Sequence, residues 1–317
     1  MVETGKDLVK AKDLLVQGKL IAIPTETVYG LAGNALDTQV ISRIFMVKNR
    51  PFFDPMILHT YNIQAIEDCI TEWPDLYTML MEHFMPGPLT LLCRKTVKVP
   101  DLLTAGSGKV AIRIPNHPLT LALLENLPFP LAAPSANPFG YISPTRPEHV
   151  ALQLGNDIPY ILDGGPCTVG VESTIIDFQE EQIKVLRKGG VSIEALEALC
   201  GSVIVFEQST SNPSAPGMLH SHYAPGTPLV IAPPHTLLDH NTPDKIGYLA
   251  FRKSSSELPL KNQKILSESG NLDEAARNLF SYLRELDEAG LDIICAEWVP
   301  EYGLGRAIND KLRRASN

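Results

Sequence analysis

The sequence predicts an α/β protein: an open, mixed sheet with flanking helices, followed by a smaller α/β unit. Short apolar runs with the composition of buried strands alternate with stretches whose apolar residues recur at helical spacing. A Ser-, Pro- and Gly-rich stretch with few aliphatic residues then covers 207–227, as is typical of an interdomain linker. We therefore predict domains at 1–206 and 228–317, joined by a linker at 207–227.

The first domain is predicted to begin with a helix followed by a strand. Apolar residues recur at helical spacing over 7–16, and Gly18 follows where a helix C-terminus favours glycine. A second helical stripe, from Val40 to Val47, ends at Pro51 because proline cannot continue a helix. Further helices are predicted at 118–125 and 193–199, and strands at 56–59, 89–93, 110–115, 131–133 and 203–206.

The second domain has the pattern of a small Rossmann-like layer. Strands are predicted at 229–232, 246–250 and 293–296. Asn271 and Glu274 form a plausible capping pair for a helix that ends at Gly290, and a last helix at 305–314 is basic at its end, as the helix dipole favours. This part carries no GxGxxG or GxxxxGK[ST] motif, so nothing in its sequence marks a nucleotide site.

Composition excludes several classes of protein. The net charge of −9 disfavours non-specific attraction to nucleic acid or to an anionic membrane. Five widely spaced cysteines without a CxxC pair fit reduced thiols better than disulfides or a zinc site. No apolar run approaches the roughly 18 residues of a membrane span, and the polar N-terminus is not a signal peptide. We expect a cytoplasmic protein without a membrane partner or a protein-held metal.

Polar residues recur where the predicted strands end. They occur in the segments 24–31, 48–51, 135–138, 143–145 and 171–177. Taken singly, most have a structural explanation, such as a solvated helix end or a turn before proline. Arg113 is different, because it interrupts a strand that is otherwise apolar, and a buried guanidinium needs an anionic partner. In open α/β sheets, strand ends are where ligands bind.

Together these residues are the donors that a site for ATP and an amino acid needs. Lys48, Arg50 and Arg187 could neutralise a triphosphate, with hydroxyl and amide donors beside them. Arg113 could hold a carboxylate through two parallel hydrogen bonds. The remaining candidate donors are Ser135, Asn137 and Ser143 for phosphate oxygens, and Thr27, His59 and Ser173 for an amine or hydroxyl.

The motifs resemble those of the YrdC/Sua5 family. PTETVYGL at 24–31, KNRP at 48–51, SANP at 135–138, SPT at 143–145 and VLRKGG at 185–190 occur in the family's order. The linker string SAPGMLHSHYAPGTPL at 214–229 and GLGRAINDKLRRAS at 303–316 are similar to the longer, two-domain Sua5 members. The resemblance covers nearly the whole chain and implies a YrdC-like open twisted mixed sheet with a Sua5-type C-terminal domain.

The resemblance also implies an activity. L-threonine, bicarbonate or CO2, and ATP with Mg2+ would give threonylcarbamoyl-adenylate and pyrophosphate, a nucleotidyl transfer. The product would pass to the machinery that forms t6A at position 37 of tRNA, and tRNA binding would not be required for the reaction. We see no residue that must act as a covalent nucleophile. We expect the linker to fold over the filled site, and a chain truncated after about residue 206 to remain folded but to bind ATP weakly.

The family's residue roles carry over where the motifs match. One departure is Asp54, where the family commonly has asparagine; a carboxylate near phosphates would repel them unless Mg2+ intervenes. Lys48 and Arg50 would stabilise the departing pyrophosphate as the catalytic pair. L-threonine would be held by Thr27, Tyr29, His59, Arg113, Ala133 and Ser173. ATP would be held by Lys48, Arg50, Asp54, Lys109, Ser135, Asn137, Ser143, Arg187 and Tyr223.

Three other functions stay open. A regulatory or purely structural protein is disfavoured by the concentration of polar strand-end motifs. A double-stranded RNA or tRNA-binding module without catalysis is weakened by the net charge and by the lack of a basic stripe. Formation of carbamoyl-adenylate, as in hydrogenase-maturation carbamoyltransferases with a similar domain, would need additional segments and zinc-finger cysteines that this chain lacks.

Overall fold

Two sheets organise the part of the chain that a computed structural model describes, which comprises residues 2–206, 215–216 and 222–317. The first has eleven strands in the order β1-β8-β2-β3-β7-β4-β6-β5-β9-β10-β11. These strands are β1 (Glu3–Gly5), β2 (Ile21–Ile23), β3 (Gly30–Asn34), β4 (Ile57–His59), β5 (Leu89–Arg94), β6 (Lys109–Arg113), β7 (Leu131–Ala132), β8 (Tyr160–Leu162), β9 (Thr174–Gln179), β10 (Gln182–Arg187) and β11 (Ile204–Val205).

The first sheet is mixed, as predicted. β4 pairs with β6 and β5 with β9 in parallel, whereas β6 pairs with β5 and β9 with β10 in antiparallel register. Its helices are α1 (Leu8–Val16), α2 (Thr38–Lys48), α3 (Asp75–Phe84), α4 (Pro118–Glu125), α5 (Pro147–Leu154) and α6 (Ile193–Cys200). The predicted strands and helices are present, and α3, α5 and several short strands are additional.

The short edge strand β1 shows why some strands escaped prediction. Its residues Glu3, Thr4 and Gly5 are polar and mostly exposed, so they lack an apolar pattern. They form a strand because they pair in parallel with Tyr160, Ile161 and Leu162 of β8. Pairing with a distant strand, and not local composition, decides the conformation here.

The second sheet is fully parallel and has the order β12-β15-β13-β14. Asn271 caps its long helix, because its side chain accepts a hydrogen bond from the Glu274 amide at 2.9 Å. The elements are β12 (Leu229–Ile231), β13 (Ile246–Ala250), β14 (Gln263–Ile265), β15 (Ile293–Ala296), α7 (Leu272–Asp287) and α8 (Gly305–Ala315). This confirms a second α/β layer; β14 was not predicted because its sequence, Gln-Lys-Ile, is mostly polar.

The two layers share one apolar core. Val28, Ile142 and Val171, from loops of the first layer, belong to the same buried cluster as Leu279 and Leu283 of α7. Because α7 packs against its own sheet and against these loops, its apolar residues cover a wide arc of the helix surface. The second layer therefore packs directly against the loops at one end of the first sheet.

A buried arginine strengthens this interface. Arg284 of α7 is 1% exposed and donates hydrogen bonds to the Ile142 carbonyl and to Gln153 Oε1. Its guanidinium also lies over the Tyr141 ring, 5.0 Å from the ring centroid. None of the described helices is long and apolar enough to cross a bilayer.

Candidate active site

A small cavity of about 50 Å³ lies at one edge of the first sheet, where strand ends and loops of that sheet meet the linker. Eight of the predicted site residues line it together. The lining residues are Thr27, Val28, Arg50, Ile57, His59, Arg113, Ala133, Pro134, Ser135, Glu172, Arg187, Pro216, His222 and Tyr223.

Strand order and register explain why distant residues meet here. His59 and Arg113 are the last residues of the parallel neighbours β4 and β6, and they pair directly in the register. Arg187 ends β10, which runs antiparallel to β9, so it lies beside Ser173, the residue that precedes β9. Side chains at these strand ends therefore converge on one edge of the sheet.

The loop at 24–31 is closed by its own hydroxyl groups. Thr25 Oγ1 donates to the Val28 carbonyl at 2.6 Å and accepts from the Val28 amide at 3.1 Å. The Thr27 hydroxyl lies 2.8 Å from that of Thr25. The loop is thus a rigid turn, which fixes Thr27 at the cavity wall.

Arg113 has the anionic partner that its burial required. Its Nη2 lies 2.8 Å from Glu26 Oε1, and both side chains are buried. Its Nε donates to the Gly87 carbonyl at 3.4 Å. The ion pair and the contact with Gly87 hold the guanidinium at the cavity wall.

Arg187 connects the strand ends of the cavity wall with the linker. It donates to the Ser173 carbonyl at 3.0 Å and to the Ser173 hydroxyl at 2.9 Å, and the same hydroxyl lies 2.7 Å from that of Thr90. Its Nη1 donates to the carbonyl of Pro216, in the linker, at 3.2 Å. The guanidinium is therefore held in place by backbone and hydroxyl groups and keeps its charge inside the cavity.

Arg50 is held by the residues that follow it. Asn49 ends α2 in the left-handed conformation, with φ of 52°, and turns the chain so that the Arg50 side chain enters the cavity. Arg50 Nη2 lies 2.8 Å from Asp54 Oδ2, and the guanidinium also donates to the carbonyls of Asp54 and Pro55. Desolvation lowers the pKa of Arg50, and Arg187 lowers it further. Because Arg50 and Arg187 lie close together and are shielded from water, this part of the cavity strongly favours binding of an anion.

The linker and the second layer form the remaining wall. Tyr223 has φ of 67° and is buried, and its ring stacks on Phe280 of α7 at 5.5 Å. His222 lies beside it, with ring centroids 4.1 Å apart. Met218 and His220, the other notable residues of the linker, lie outside the described residues. Tyr223 thus lies in the cavity wall, and its contact with ATP stays a prediction.

An apolar strip continues from the cavity across the same face of the sheet. It is formed by Ile57, Leu92, Ala111, Ile175 and Leu186, and Ala215 of the linker packs onto it. Leu92 pairs with both Ala111 and Asp177, so the strip leads toward the ion pair of Lys109 and Asp177. The linker therefore covers a surface larger than the cavity itself.

Comparisons with known proteins agree over both layers. A family model for Sua5, YciO and YrdC proteins, described as telomere recombination, matches residues 13–189, and one described as the C-terminal domain of threonylcarbamoyl-AMP synthase matches 191–317. The chain belongs to the Sua5 family. The threonylcarbamoyl-AMP synthase of Pyrococcus abyssi is 38% identical to it, with 96% of this chain and 93% of the relative covered, and that of Bacillus subtilis is 37% identical, with 98% and 92% covered.

Solved structures give the same result. A crystal structure of Pyrococcus abyssi Sua5 complexed with L-threonine has a TM-score of 0.92 and 36% identity, covering 100% of this chain and 97% of that one. Full-length HypF, in a phosphate- and nucleotide-bound form, has a TM-score of 0.53 and 19% identity over 59% of this chain and 30% of its own, and shares only the fold. The predicted Sua5 resemblance and fold are thereby confirmed.

Several residues of the Sua5 motifs lie directly behind the cavity wall, where they hold the residues that line it. Lys48 was predicted to contact ATP, but its ammonium donates to the carbonyls of Ser135 and Asn137. Asn137 donates to the carbonyls of Pro138 and Tyr141 at 2.8 and 2.9 Å. These bonds shape the SANP loop, and the contacts of Lys48 and Asn137 with ATP stay predictions.

Asp54 and Ser143 are likewise positioned behind lining residues. Asp54 is completely buried against Arg50, which explains how a carboxylate is accommodated at this position. The Ser143 hydroxyl donates to Glu172 Oε1 at 2.6 Å. The Asp54 carboxylate faces the Arg50 guanidinium, and its contact with ATP stays a prediction.

Tyr29 and Lys109 are not brought to the cavity. The Tyr29 hydroxyl donates to the Gly165 carbonyl at 2.8 Å and accepts from the Gly164 amide at 3.1 Å, and its ring lies in the core. These bonds give the Tyr29 hydroxyl a structural role, and the contact of Tyr29 with threonine stays a prediction. Lys109 pairs with Asp177 at 2.6 Å, four residues and about 13 Å along the strand from Arg113. Its contact with ATP stays a prediction.

Sequence reasoning missed three residues at the site. Glu26 pairs with Arg113, Glu172 lines the cavity, and His222 lies beside Tyr223. The requirement of Arg113 for an anion was a usable signal, because Glu26 lies in a polar strand-end motif. Glu172 and His222 also lie in segments that the sequence singles out, 171–177 and the linker, but their roles depend on which loops meet.

His59 gives the protein a predictable response to acid. Burial and the nearby Arg113 lower the pKa of His59 to about 3, so this histidine is neutral in the folded protein. Below its ordinary pKa of 6.5 the unfolded chain gains a proton that the folded chain does not, and the free energy of unfolding falls by about 1.4 kcal/mol per pH unit for each such histidine. In urea titrations at pH 7.0 and 5.5, His59→Gln should show a smaller loss than the unsubstituted chain. Equal losses would contradict a buried neutral His59.

Proposed function

We propose that this chain is a threonylcarbamoyl-AMP synthase, a nucleotidyltransferase that uses L-threonine, bicarbonate or CO2, and ATP. The convergence of Arg113 with Arg50 and Arg187 on one cavity carries this proposal. One guanidinium suits an amino-acid carboxylate, and two others suit a phosphate chain. Relatives bearing this name match along the whole chain, and one related structure contains L-threonine.

L-Threonine would occupy the end of the cavity nearest β4 and β6. Its carboxylate would bind Arg113, whose orientation is fixed by Glu26. Thr27, Ser173 and neutral His59 would provide hydrogen bonds to the amine or hydroxyl, with the Ala133 backbone alongside. Because the amine must be neutral to attack CO2, a dry pocket that lowers the ammonium pKa favours the reaction.

ATP would place its phosphates between Arg50 and Arg187. Ser135 lines the same part of the cavity, and Ser143 and Asn137 support it from behind. The apolar strip beyond Ile57 offers a surface for the nucleoside once Ala215 has moved away. Lys109 would then lie near the far end of the nucleotide.

Mg2+ would arrive with the nucleotide. Among residues 2–206, 215–216 and 222–317, no group of three or more His, Cys, Asp or Glu side chains forms a metal site. The nearby carboxylates are also engaged, Asp54 with Arg50 and Glu172 with Ser143. This donor set fits an ion held mainly by phosphate oxygens and water, as is usual for Mg2+.

The reaction would proceed by positioning and by exclusion of water. The threonine nitrogen forms a bond to the CO2 carbon while one C=O π bond opens onto oxygen, and the nitrogen releases a proton to water. An oxygen of the resulting carbamate attacks the α-phosphorus. The bond to the β-phosphate oxygen breaks, and pyrophosphate leaves with its charge offset by Arg50 and Arg187. Since a carbamate decomposes in water, the buried walls protect the intermediate.

The linker would have to move during each cycle. A cavity of about 50 Å³ is far below the roughly 300 Å³ or more of ordinary ligand pockets, and Pro216, His222 and Tyr223 form its cover. Release of the Pro216 carbonyl from Arg187 would free that guanidinium for phosphate and uncover the apolar strip. Closure over bound ATP would then shield the intermediate.

The product would pass to the cytoplasmic machinery that forms t6A at position 37 of tRNA. The adenylate is a reactive mixed anhydride, so an acceptor must follow it promptly. The reaction itself has no need for bound tRNA, and the net charge of −9 gives no general attraction to it.

Pyrophosphate release tests the proposed function. We expect release from ATP only when both L-threonine and bicarbonate are present, at a rate that falls at least about tenfold when either is omitted. L-Serine lacks the methyl group of threonine and L-valine lacks its hydroxyl, so the two serve as matched control substrates. Release that is independent of the amino acid would contradict the proposal, and tight, salt-sensitive tRNA binding without release would favour the RNA-binding alternative.

A further inference from the structure

A lysine of the second layer reaches the wall of the candidate active site. Lys311 lies on α8 and is 1% exposed. Its ammonium donates to the Lys188 carbonyl at 2.7 Å, just beyond the end of β10 that carries Arg187. It also lies 5.3 Å from the centroid of the Tyr223 ring. The C-terminal helix therefore contacts both a strand end and the linker wall.

The same ammonium faces a buried carboxylate of the cavity. Lys311 Nζ is 3.9 Å from Glu172 Oε2, and Glu172 is 6% exposed. The other carboxylate oxygen accepts the Ser143 hydroxyl, whereas Oε2 has no hydrogen-bond partner. Glu172 is thus an anion in the wall that also carries Arg50 and Arg187.

The side chains around Lys311 carry charges of both signs, and its ammonium is part of their balance. Asp310 and Arg314 lie beside Lys311, with Asp310 Oδ2 at 3.4 Å from Lys311 Nζ and 3.2 Å from Arg314 Nε. The local group of Glu172, Asp310, Lys311 and Arg314 therefore has two charges of each sign. Removing the lysine charge would make the surroundings of the place proposed for the phosphates less positive, and the change would be weakly screened because the group is buried.

We propose that Lys311 is a positioning residue of the nucleotide end: it neutralises Glu172 and supports Tyr223, so that productive ATP binding depends on the C-terminal helix. This inference rests on the proposed function and extends it. It assigns the second layer an electrostatic task in addition to anchoring the linker. Lys311 does not touch the reacting atoms, so its effect is expected on ATP and not on L-threonine.

The test is a double-mutant cycle in the full-length chain. Lys311→Met keeps the length of the side chain and removes its charge, and Glu172→Gln removes the opposing charge. We expect Lys311→Met to raise the KM for ATP by about tenfold or more and the KM for L-threonine by less than about twofold. Lys311→Arg should retain most of the ATP affinity, and adding Glu172→Gln to Lys311→Met should recover at least about half of the loss on a logarithmic scale.

Two controls keep the outcomes distinct. Lys264→Met removes a partly exposed lysine of the second layer, paired with Glu285, and should change neither KM. Calorimetric binding of a non-hydrolysable ATP analogue and thermal unfolding separate weak binding from loss of fold. Equal increases in both KM values, or strictly additive effects in the double variant, would overturn the inference. An unsubstituted chain without threonine-dependent pyrophosphate release would instead overturn the proposed function.

Discussion

Arg113→Ala is expected to raise the KM for L-threonine by about 100-fold while changing the KM for ATP much less. Losing a buried, charge-assisted contact with a carboxylate costs about 3 kcal/mol, which corresponds to that factor. The effect should be selective because the guanidinium lies beside His59, at the ends of β4 and β6 where L-threonine is proposed to bind. Initial rates of pyrophosphate release, with each substrate varied in turn, measure it.

Glu26 provides the control for this substitution. Arg113→Ala alone leaves the Glu26 carboxylate buried without its partner, which would destabilise the fold. Arg113→Ala combined with Glu26→Gln removes both charges and should restore thermal stability without restoring threonine affinity. Arg113→Lys should rescue only partly, because an ammonium cannot form two parallel bonds. Equal increases in both KM values would count against a carboxylate role for Arg113.

Removal of the linker and second layer, by truncation after about residue 206, is expected to lower the affinity for ATP by about 100-fold or more. The truncated chain loses Pro216, His222 and Tyr223 from the cavity wall and would leave the phosphate end open to water. The shared core adds a second consequence: Val28 and Ile142 would be exposed, so thermal stability should also fall. Nucleotide-analogue binding and circular dichroism measure the two effects separately.

Full-length Tyr223→Ala distinguishes loss of the wall from loss of the fold. It keeps α7 and α8 in place and removes only the ring stacked on Phe280. We expect an intermediate loss of ATP affinity, with secondary structure unchanged. Near-unchanged turnover in the truncated chain would contradict an essential linker, whatever its stability.

An element could be predicted from the sequence when the residues that determine it lie close together in the chain. Helices α1, α2 and α7 were predictable because caps, glycines and apolar spacing lie within a few residues of one another. The strand-end motifs were equally visible, and with the linker and the family resemblance they led to eight of the fourteen residues that line the cavity. Local patterns could not show β1, whose pairing partner lies far away in sequence, or β14, whose three residues are mostly polar.

The sequence by itself determined the fold class, the family, and the set of charged and polar groups available for chemistry. Only the tertiary structure decided which of them face the cavity: it placed Arg50 and Arg113 in its wall, turned Lys48 toward two carbonyls, and put Tyr29 in the core. It also paired Arg113 with Glu26 and brought Lys311 to Glu172. The physical reason is that a motif fixes the type of a side chain, whereas its direction and its partner are set by strand register and by packing between segments far apart in the chain.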